Sequence, residues 1–167
     1  MHNELTQNDI RLMQEELDHR RIHLRPKLLE VVKEARGFGD LSENFEYKAA
    51  KQEKNRNESR IRFLENMIKT AVVIQDNSGD GTVGLYDKVT VYLEEDEETE
   101  VYQIVTTVRQ DVLRGLISKE SPMGRCLMGK KVGDRFYVQV NPTYGYYAVV
   151  KSIEKGADAC SAPLNRY

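Results

Sequence analysis

Apolar residues recur at helical spacing along the first 70 residues of the chain. One series has a spacing of seven residues: Ile10, Leu17, Leu24 and Val31. Further apolar residues lie three or four positions away, which gives a narrow seam typical of a coiled-coil helix with one partner helix. A second, intermittent seam runs from Phe45 to Ala71. The two seams predict an antiparallel α-helical coiled-coil hairpin.

Local signals predict where the two helices bend and end. Pro26 lies inside the first seam and should kink that helix, because its ring lacks an N–H and crowds the carbonyl four residues earlier. Gly37 and Gly39 should end the helix. Asp40-Leu-Ser-Glu43 has the pattern of a capping box and should open the second helix. Residues 37–43 are therefore expected at the far tip of a rod roughly 45 Å long.

After residue 75 the pattern changes to the alternation of β-strands. Shorter apolar segments lie at 72–74 and 114–118. Four longer runs alternate clearly between apolar and polar residues: Lys88–Leu93, Val101–Thr106, Arg135–Val140 and Tyr146–Lys151. They predict five or six strands in an antiparallel or mixed sheet, with one short helix at Gly124–Met128. The chain is therefore predicted to be α+β, with a hairpin domain at 1–75, a sheet domain at 76–155 and a loose tail at 156–167.

Composition limits the kinds of partner. The chain has 25 basic and 27 acidic residues and a net charge of -2, so contact with nucleic acid or anionic lipid must be local. It has no apolar run of roughly 20 residues and no signal-peptide pattern at its start, which predicts a cytoplasmic protein without a membrane contact. The two cysteines are far apart, so neither a disulfide framework nor a zinc site is expected.

A basic stripe marks the second predicted helix. Between residues 48 and 62 there are six basic side chains and two acidic ones; the basic residues are Lys48, Lys51, Lys54, Arg56, Arg60 and Arg62. Such a stripe forms either a solvated helix face or a contact with a nucleic-acid backbone. The pattern alone leaves both interpretations open.

Asp40 and Glu43 place two carboxylates in the predicted tip. Carboxylates are hard oxygen ligands that suit Mg²⁺, although two of them alone hold it weakly and leave room for ligands from a second molecule. An acidic residue at the N-cap and another three residues later are also what an ordinary helix start favours. Both readings of the acids stay open at this point.

Two separated signatures carry a resemblance to a known family. Residues 34–50 read EARGFGDLSENFEYKAA, and residues 117–130 read ISKESPMGRCLMGK. The first resembles the tip signature of the bacterial GreA/GreB transcript cleavage factors, and the second is similar to a further signature of that family. The resemblance covers residues 5–154. It departs at Gly37-Phe38, where the family more often has polar residues, and in the tail.

The resemblance implies a fold and an activity. The sheet domain would be FKBP-like, and the coiled coil would enter the secondary channel of RNA polymerase. Asp40 and Glu43 would act as the catalytic acids by completing a second Mg²⁺ site together with the polymerase, so no metal is expected in the isolated protein. The factor would stimulate the polymerase to cleave the nascent RNA of backtracked complexes, and it would not be an enzyme by itself.

The resemblance also assigns contact residues. Contact with the RNA 3′ end and the channel is implied for four residues of the hairpin: Arg36, Lys48, Lys51 and Lys54. Docking on the rim coiled coil of the polymerase is implied for four residues of the sheet domain: Ser121, Pro122, Met123 and Gly124. The factor is expected to be a monomer.

Two other classes of function are alternatives to transcript cleavage. A channel-binding regulator of the same shape could inhibit or modulate the polymerase without cleavage, and an absent or displaced tip acid would distinguish it. A coiled-coil chaperone or a prolyl isomerase would use the sheet domain instead. That domain has few aromatic residues in any one cluster, and the hairpin would then have no purpose.

Overall fold

A computed structural model describes residues 3–37, 39, 44–75, 79–157 and 163–165. The chain divides into two compact units. The hairpin unit comprises Asp9–Ala71, and the sheet unit comprises Met1–Asn8 together with Val72–Arg166. Each unit contains a cluster of buried apolar residues.

The hairpin unit consists of two helical arms. The first arm contains α1 (Gln7–His19), a π-helical turn (Arg20–Leu24) and α2 (Arg25–Arg36), and the second arm is α3 (Phe45–Thr70). Apolar residues of both arms are buried in this unit: Met13, Leu17, Leu28, Val32, Ala35, Ala50, Ile61, Leu64 and Met67. The predicted helical hairpin is confirmed.

The π-helical turn is the form that the predicted kink at Pro26 takes. The N–H of Arg25 donates to the carbonyl of Arg20, five residues earlier, in the widened π register. This register precedes the proline, whose ring cannot donate and needs space beside the previous turn. The turn also shifts the phase of the buried face, so that Val31 of the predicted seam is 40% exposed while Val32 is buried.

The start of α3 differs from the prediction. The helix begins at Phe45 with Asn44 as its N-cap, and the Asn44 side chain accepts a hydrogen bond from the N–H of Tyr47 at 2.9 Å. Asp40-Leu-Ser-Glu43 therefore does not supply the cap of this helix. Asparagine is as good a cap as aspartate, and this one lies directly before the first helical residue.

Polar side chains join the two arms in the middle of the hairpin. Arg60 donates to both carboxylate oxygens of Glu16, at 2.9 and 3.1 Å, and Arg20 donates to Glu16 at 2.8 Å. Arg20 also donates to the buried Asn57 at 2.9 Å. Asn57 is buried although the segment around it is polar, because the opposite arm supplies its hydrogen-bonding partner.

The sheet unit contains a small parallel pair and a five-stranded sheet. Strands β1 (Glu4–Leu5) and β2 (Val72–Val73) form the pair. The larger sheet has the order β5-β4-β3-β7-β6 and contains β3 (Lys88–Leu93), β4 (Glu98–Val105), β5 (Leu116–Ser118), β6 (Arg135–Asn141) and β7 (Tyr144–Glu154). Only β4 and β5 are parallel within it. The predicted mixed sheet is confirmed.

A short helix packs on this sheet. Helix α4 (Pro122–Leu127) begins two residues earlier than predicted, and its Met123 and Leu127 join the core of the sheet unit. Buried strand residues such as Val91, Ile104 and Val150 form the rest of that core. Across the parts of the chain that the structure describes, no helix is both long enough and apolar enough to cross a membrane.

Candidate functional site

The predicted tip acids, Asp40 and Glu43, lie outside the described residues. The chain is described on both sides of them, and Asn44 joins the two arms there. Its side-chain N–H donates to the carbonyl of Ala35 in α2 at 2.6 Å, while its side-chain oxygen caps α3 at Tyr47. One side chain thus sets the distance between the end of the first arm and the start of the second.

Tyr47 brings two of the predicted contact residues together. The Arg36 guanidinium lies 5.5 Å from the centroid of the Tyr47 ring, and Lys51 Nζ lies 6.0 Å from it. A hydrogen bond from Arg36, with the positive charges of Arg36, Lys51 and Lys54, lowers the pKa of the Tyr47 hydroxyl. The ring also packs against a small core of Val32, Ala35 and Ala50. Arg36 and Lys51 therefore lie near an aromatic ring that packs against buried residues.

A groove of about 640 Å³ runs along the surface of α3. Six polar or basic residues line it: Lys48, Lys51, Gln52, Asn55, Arg56 and Ser59. Two of the predicted contact residues, Lys48 and Lys51, are among them, and Lys54 is not. The lining contains no carboxylate, so the groove is suited to an anionic ligand.

Ion pairs between the arms engage two acidic residues of α3. Arg25 of α2 donates to both oxygens of Glu58, at 2.7 and 3.0 Å, which lowers the pKa of that carboxyl. Arg21 also forms an ion pair with Glu65 across the hairpin. Arg60 was counted in the basic stripe by its sequence position, but it is buried against Glu16. The exposed stripe is therefore shorter than the sequence suggested.

The predicted docking residues form the turn that enters α4. The Ser121 hydroxyl donates to the carbonyl of Ser118 at 2.6 Å and accepts the N–H of Gly124 at 3.1 Å, which makes Ser121 the N-cap. Pro122 follows at the first helical position, where its missing N–H costs nothing. Gly124 is required for close packing, because a Cβ there would lie 2.1 Å from the Ser118 carbonyl.

Burial separates these four residues into two groups. Pro122 is exposed and Ser121 is half-buried, whereas Met123 is 6% exposed and Gly124 is buried. Met123 belongs to the hydrophobic core of the sheet unit. Only Ser121 and Pro122 can therefore meet a partner directly, and Met123 and Gly124 hold the turn in place. The docking role of all four stays a prediction.

Sequence reasoning missed Asn44 and Tyr47 as organisers of the tip. Asp40, Ser42 and Asn44 are all good N-cap residues, so the local pattern offered several helix starts. Tyr47 stood inside the family signature without an assigned role. Its position three residues after Asn44 is the spacing of a capped N–H, which is the signal that could have identified the pair.

The described residues contain no cluster of three or more histidine, cysteine, aspartate or glutamate side chains arranged to hold a metal. This finding does not extend to Asp40 and Glu43. Carboxylate oxygens are the donors that Mg²⁺ prefers, so the chemistry of this pair suits that ion. Two such ligands are too few for a closed site, and a second molecule would have to supply the others.

Comparison with known proteins matches both units. The N-terminal domain of the GreA/GreB transcription elongation factors matches residues 3–73, and the C-terminal domain of the same factors matches residues 77–155. The transcription elongation factor GreA of Staphylococcus saprophyticus is 42% identical over 134 residues, which is 80% of this chain and 85% of that protein. GreA of Bacillus subtilis is 42% identical over 127 residues, 76% of this chain and 81% of that protein.

Solved structures with similarity include GreA factor homolog 1 (Gfh1) of Thermus thermophilus. It is 28% identical, the match covers 91% of this chain and 98% of that one, and the TM-score is 0.42.

Proposed function

This chain belongs to the GreA/GreB family of transcription elongation factors, and on that basis we propose that it binds RNA polymerase in the cytoplasm and stimulates cleavage of nascent RNA in backtracked complexes. The hairpin unit would enter the secondary channel as a monomer and present Asp40 and Glu43 to the polymerase active site. The observation that carries the proposal is the capping of α3 by Asn44. Because Asn44 does this, the two acids are not needed to start the helix.

The acids would act as metal ligands shared with the polymerase. Asp40 and Glu43 would hold Mg²⁺ from the protein side, and the incomplete ligand set accounts for the need for a second molecule. When bound, the ion would supply the chemistry that activates a water toward an RNA phosphodiester. The contribution of this chain is to bring two negative charges to that position.

The basic residues would hold the extruded RNA. Arg36 and Lys51 lie near the Tyr47 ring in the first turn of α3, and Lys48 and Lys51 line a groove without carboxylates. Lys54 follows further along the same helix. A single strand of RNA carries one phosphate charge per nucleotide, and cations along its path release counterions when it binds. These side chains would therefore align the RNA 3′ segment beside the tip.

The turn before α4 would hold the factor on the rim of the channel. Ser121 and Pro122 are accessible there, and three hydrogen bonds among Ser118, Ser121 and Gly124 make the turn rigid. A rigid turn loses little entropy on binding, which favours it as a docking element.

Three variants test the proposal on stalled, backtracked complexes with labelled RNA. Asp40→Asn removes a charge from the tip, and we expect it to keep the affinity for polymerase while losing most transcript cleavage, with partial recovery at raised magnesium. Glu43→Gln should behave similarly. Pro122→Ala should show the opposite result, with weaker polymerase binding and normal cleavage at saturating protein.

The outcomes separate the alternatives. Wild-type cleavage by Asp40→Asn at limiting magnesium would show that the acid is not a metal ligand. Binding of the parent protein without any RNA shortening would instead identify a regulator that modulates the polymerase without cleavage. Unchanged affinity of Pro122→Ala would remove the turn from the interface.

A further inference from the structure

Phe45 is exposed to an unusual degree for an aromatic residue. It is the first residue of α3 and is 80% exposed, more than the other exposed apolar residues reported in the hairpin unit, such as Ile22 at 63% and Leu29 at 48%. A phenyl ring left in water forgoes the favourable free energy of burying its apolar surface. The start of α3 does not account for an exposed aromatic residue at this position, because Asn44 already caps the helix.

The ring lies at the head of the basic groove. Positions 45, 48, 52, 55 and 59 are three or four residues apart, so they follow one another along a single face of the helix. Lys48, the nearest lining residue, has its Nζ 5.7 Å from the centroid of the Phe45 ring. The Phe45 ring is therefore followed, along this face of the helix, by cationic and other polar side chains over about 17 Å.

This combination has the chemistry of a binding site for a single strand of nucleic acid. Such sites pair aromatic side chains, on which bases stack, with cations that follow the phosphates. If the ring were part of a protein–protein interface, we would expect apolar residues around it. The groove next to it is instead lined by lysine, arginine, glutamine, asparagine and serine. Its charge is complementary to RNA, since no carboxylate lines it.

We propose that Phe45 stacks on a base of the RNA 3′ segment extruded from the backtracked polymerase, while Lys48, Lys51 and Arg56 hold the neighbouring phosphates. The proposal rests on the function proposed above and adds a contact to the base itself. Stacking tolerates any base, so the contact holds the RNA in position without selecting a sequence. Phe45 is thus a substrate-positioning residue two positions after Glu43 in the sequence.

Fluorescence of 2-aminopurine reports base stacking directly. The probe is placed in turn at each position of the extruded RNA 3′ segment, and the full-length protein is added to the backtracked complexes. At one or two positions the parent protein should quench the probe. Phe45→Leu keeps an apolar side chain but removes the π face, and it should abolish this quenching. It should also need about tenfold more protein for half-maximal cleavage.

Two further variants serve as controls. Phe45→Trp keeps a stacking surface and should restore the quenching and the half-maximal concentration. Leu29→Ala removes a different exposed apolar side chain from the hairpin and should behave as the parent in both measurements. Thermal unfolding of each variant should match the parent, since both positions are exposed.

The results separate this inference from the proposed function. If the parent cleaves RNA but Phe45→Leu gives the same quenching and the same half-maximal concentration, the stacking role is wrong and the proposed function stands. If Phe45→Leu weakens binding to polymerase that carries no transcript by the same factor, the ring contacts protein and the RNA assignment is wrong. If the parent itself fails to cleave, the proposed function fails first.

Discussion

Asn44 shows how one residue can hold two ends of a hairpin. Its amide group is both a donor and an acceptor, and both functions are used, the donor toward Ala35 and the acceptor toward Tyr47. Aspartate could cap α3 equally well, but its carboxylate has no hydrogen to donate to the Ala35 carbonyl. The asparagine therefore combines a cap with a bond to the other arm, which aspartate cannot do.

Replacing Asn44 should separate these two contributions. Asn44→Ala loses the cap and the bond between the arms, and we expect a loss of about 2 kcal/mol in the free energy of unfolding, roughly 1 from each. Asn44→Asp keeps the cap and loses the other bond, so its loss should be smaller. Urea unfolding measures both values.

Asn55→Ala is the matched control for these variants. Asn55 lies on the exposed face of the same helix, and alanine is the better helix former. Its free energy of unfolding should equal or slightly exceed that of the parent. Equal stability of Asn44→Ala and the parent would contradict the role assigned to Asn44.

At the scale of elements, the pairing of the two arms depends on polar contacts as much as on the apolar seam. Glu16 accepts from Arg60 of the opposite arm and from Arg20 of its own arm. Arg60 is only 5% exposed, so the removal of its partner would leave a buried charge. Such contacts specify which residues of the two arms face each other, since a shift by one turn would separate every pair.

The Glu16 cluster predicts a pH dependence. Burial raises the pKa of Glu16, but hydrogen bonds from Arg60 and Arg20 and their charges outweigh it, so the pKa is lowered from 4.5. A carboxyl group with a lowered folded pKa stabilises the fold above its unfolded pKa and loses that contribution as the pH falls through its folded pKa. The stability of the hairpin should therefore fall when the pH drops below 4.5.

Glu16→Gln tests this dependence. The variant should be less stable than the parent at neutral pH, and the difference should shrink in acid, when urea unfolding is measured across the acidic range. Glu15→Gln is the control, because Glu15 makes an exposed pair with Arg11 in the same helix and should change stability little at any pH. A constant difference between Glu16→Gln and the parent across the whole range would refute the assignment.

At the scale of the whole molecule, charge is segregated although the total is nearly balanced. The net charge is -2, yet the groove on α3 has a lining of cations and amides. The carboxylates of Glu58 and Glu65 are paired with arginines of the first arm. The net charge therefore favours little general affinity for nucleic acid, and under the proposed function the groove would supply a local one.

Neutralising two lysines should make RNA contact less dependent on salt. We expect the double variant Lys51→Gln with Lys54→Gln to need more protein for half-maximal cleavage. In a plot of the logarithm of this half-maximal protein concentration against the logarithm of the salt concentration, the slope should fall by about 1.4, or about 0.7 per charge removed. Raised magnesium should not restore the activity, because the tip acids are unchanged.

Lys27→Gln with Lys33→Gln is the matched control, since it changes the net charge equally on exposed positions of the first arm. It should leave the salt slope unchanged. An equal effect of the two double variants would assign the salt dependence to overall charge and would exclude a specific contact by Lys51 and Lys54.

The sequence by itself determined the type of the main elements. Apolar spacing identified the two helical arms, alternation identified the long strands, and the short helix was expected at 124–128, two residues after the observed start of α4. These signals are local, because helices and strands place residues two, three or four apart on one face. They could therefore be read from one stretch of chain at a time.

Only the tertiary structure decided which of several equivalent residues takes each role. Asn44 rather than Asp40 caps α3, because its amide also reaches Ala35 on the other arm. Val32 rather than Val31 is buried, and Arg60 is buried against Glu16 while Lys51 of the same stripe is exposed. Each choice depends on the register between two arms far apart in sequence, and that register follows from packing across the hairpin, which no local pattern contains.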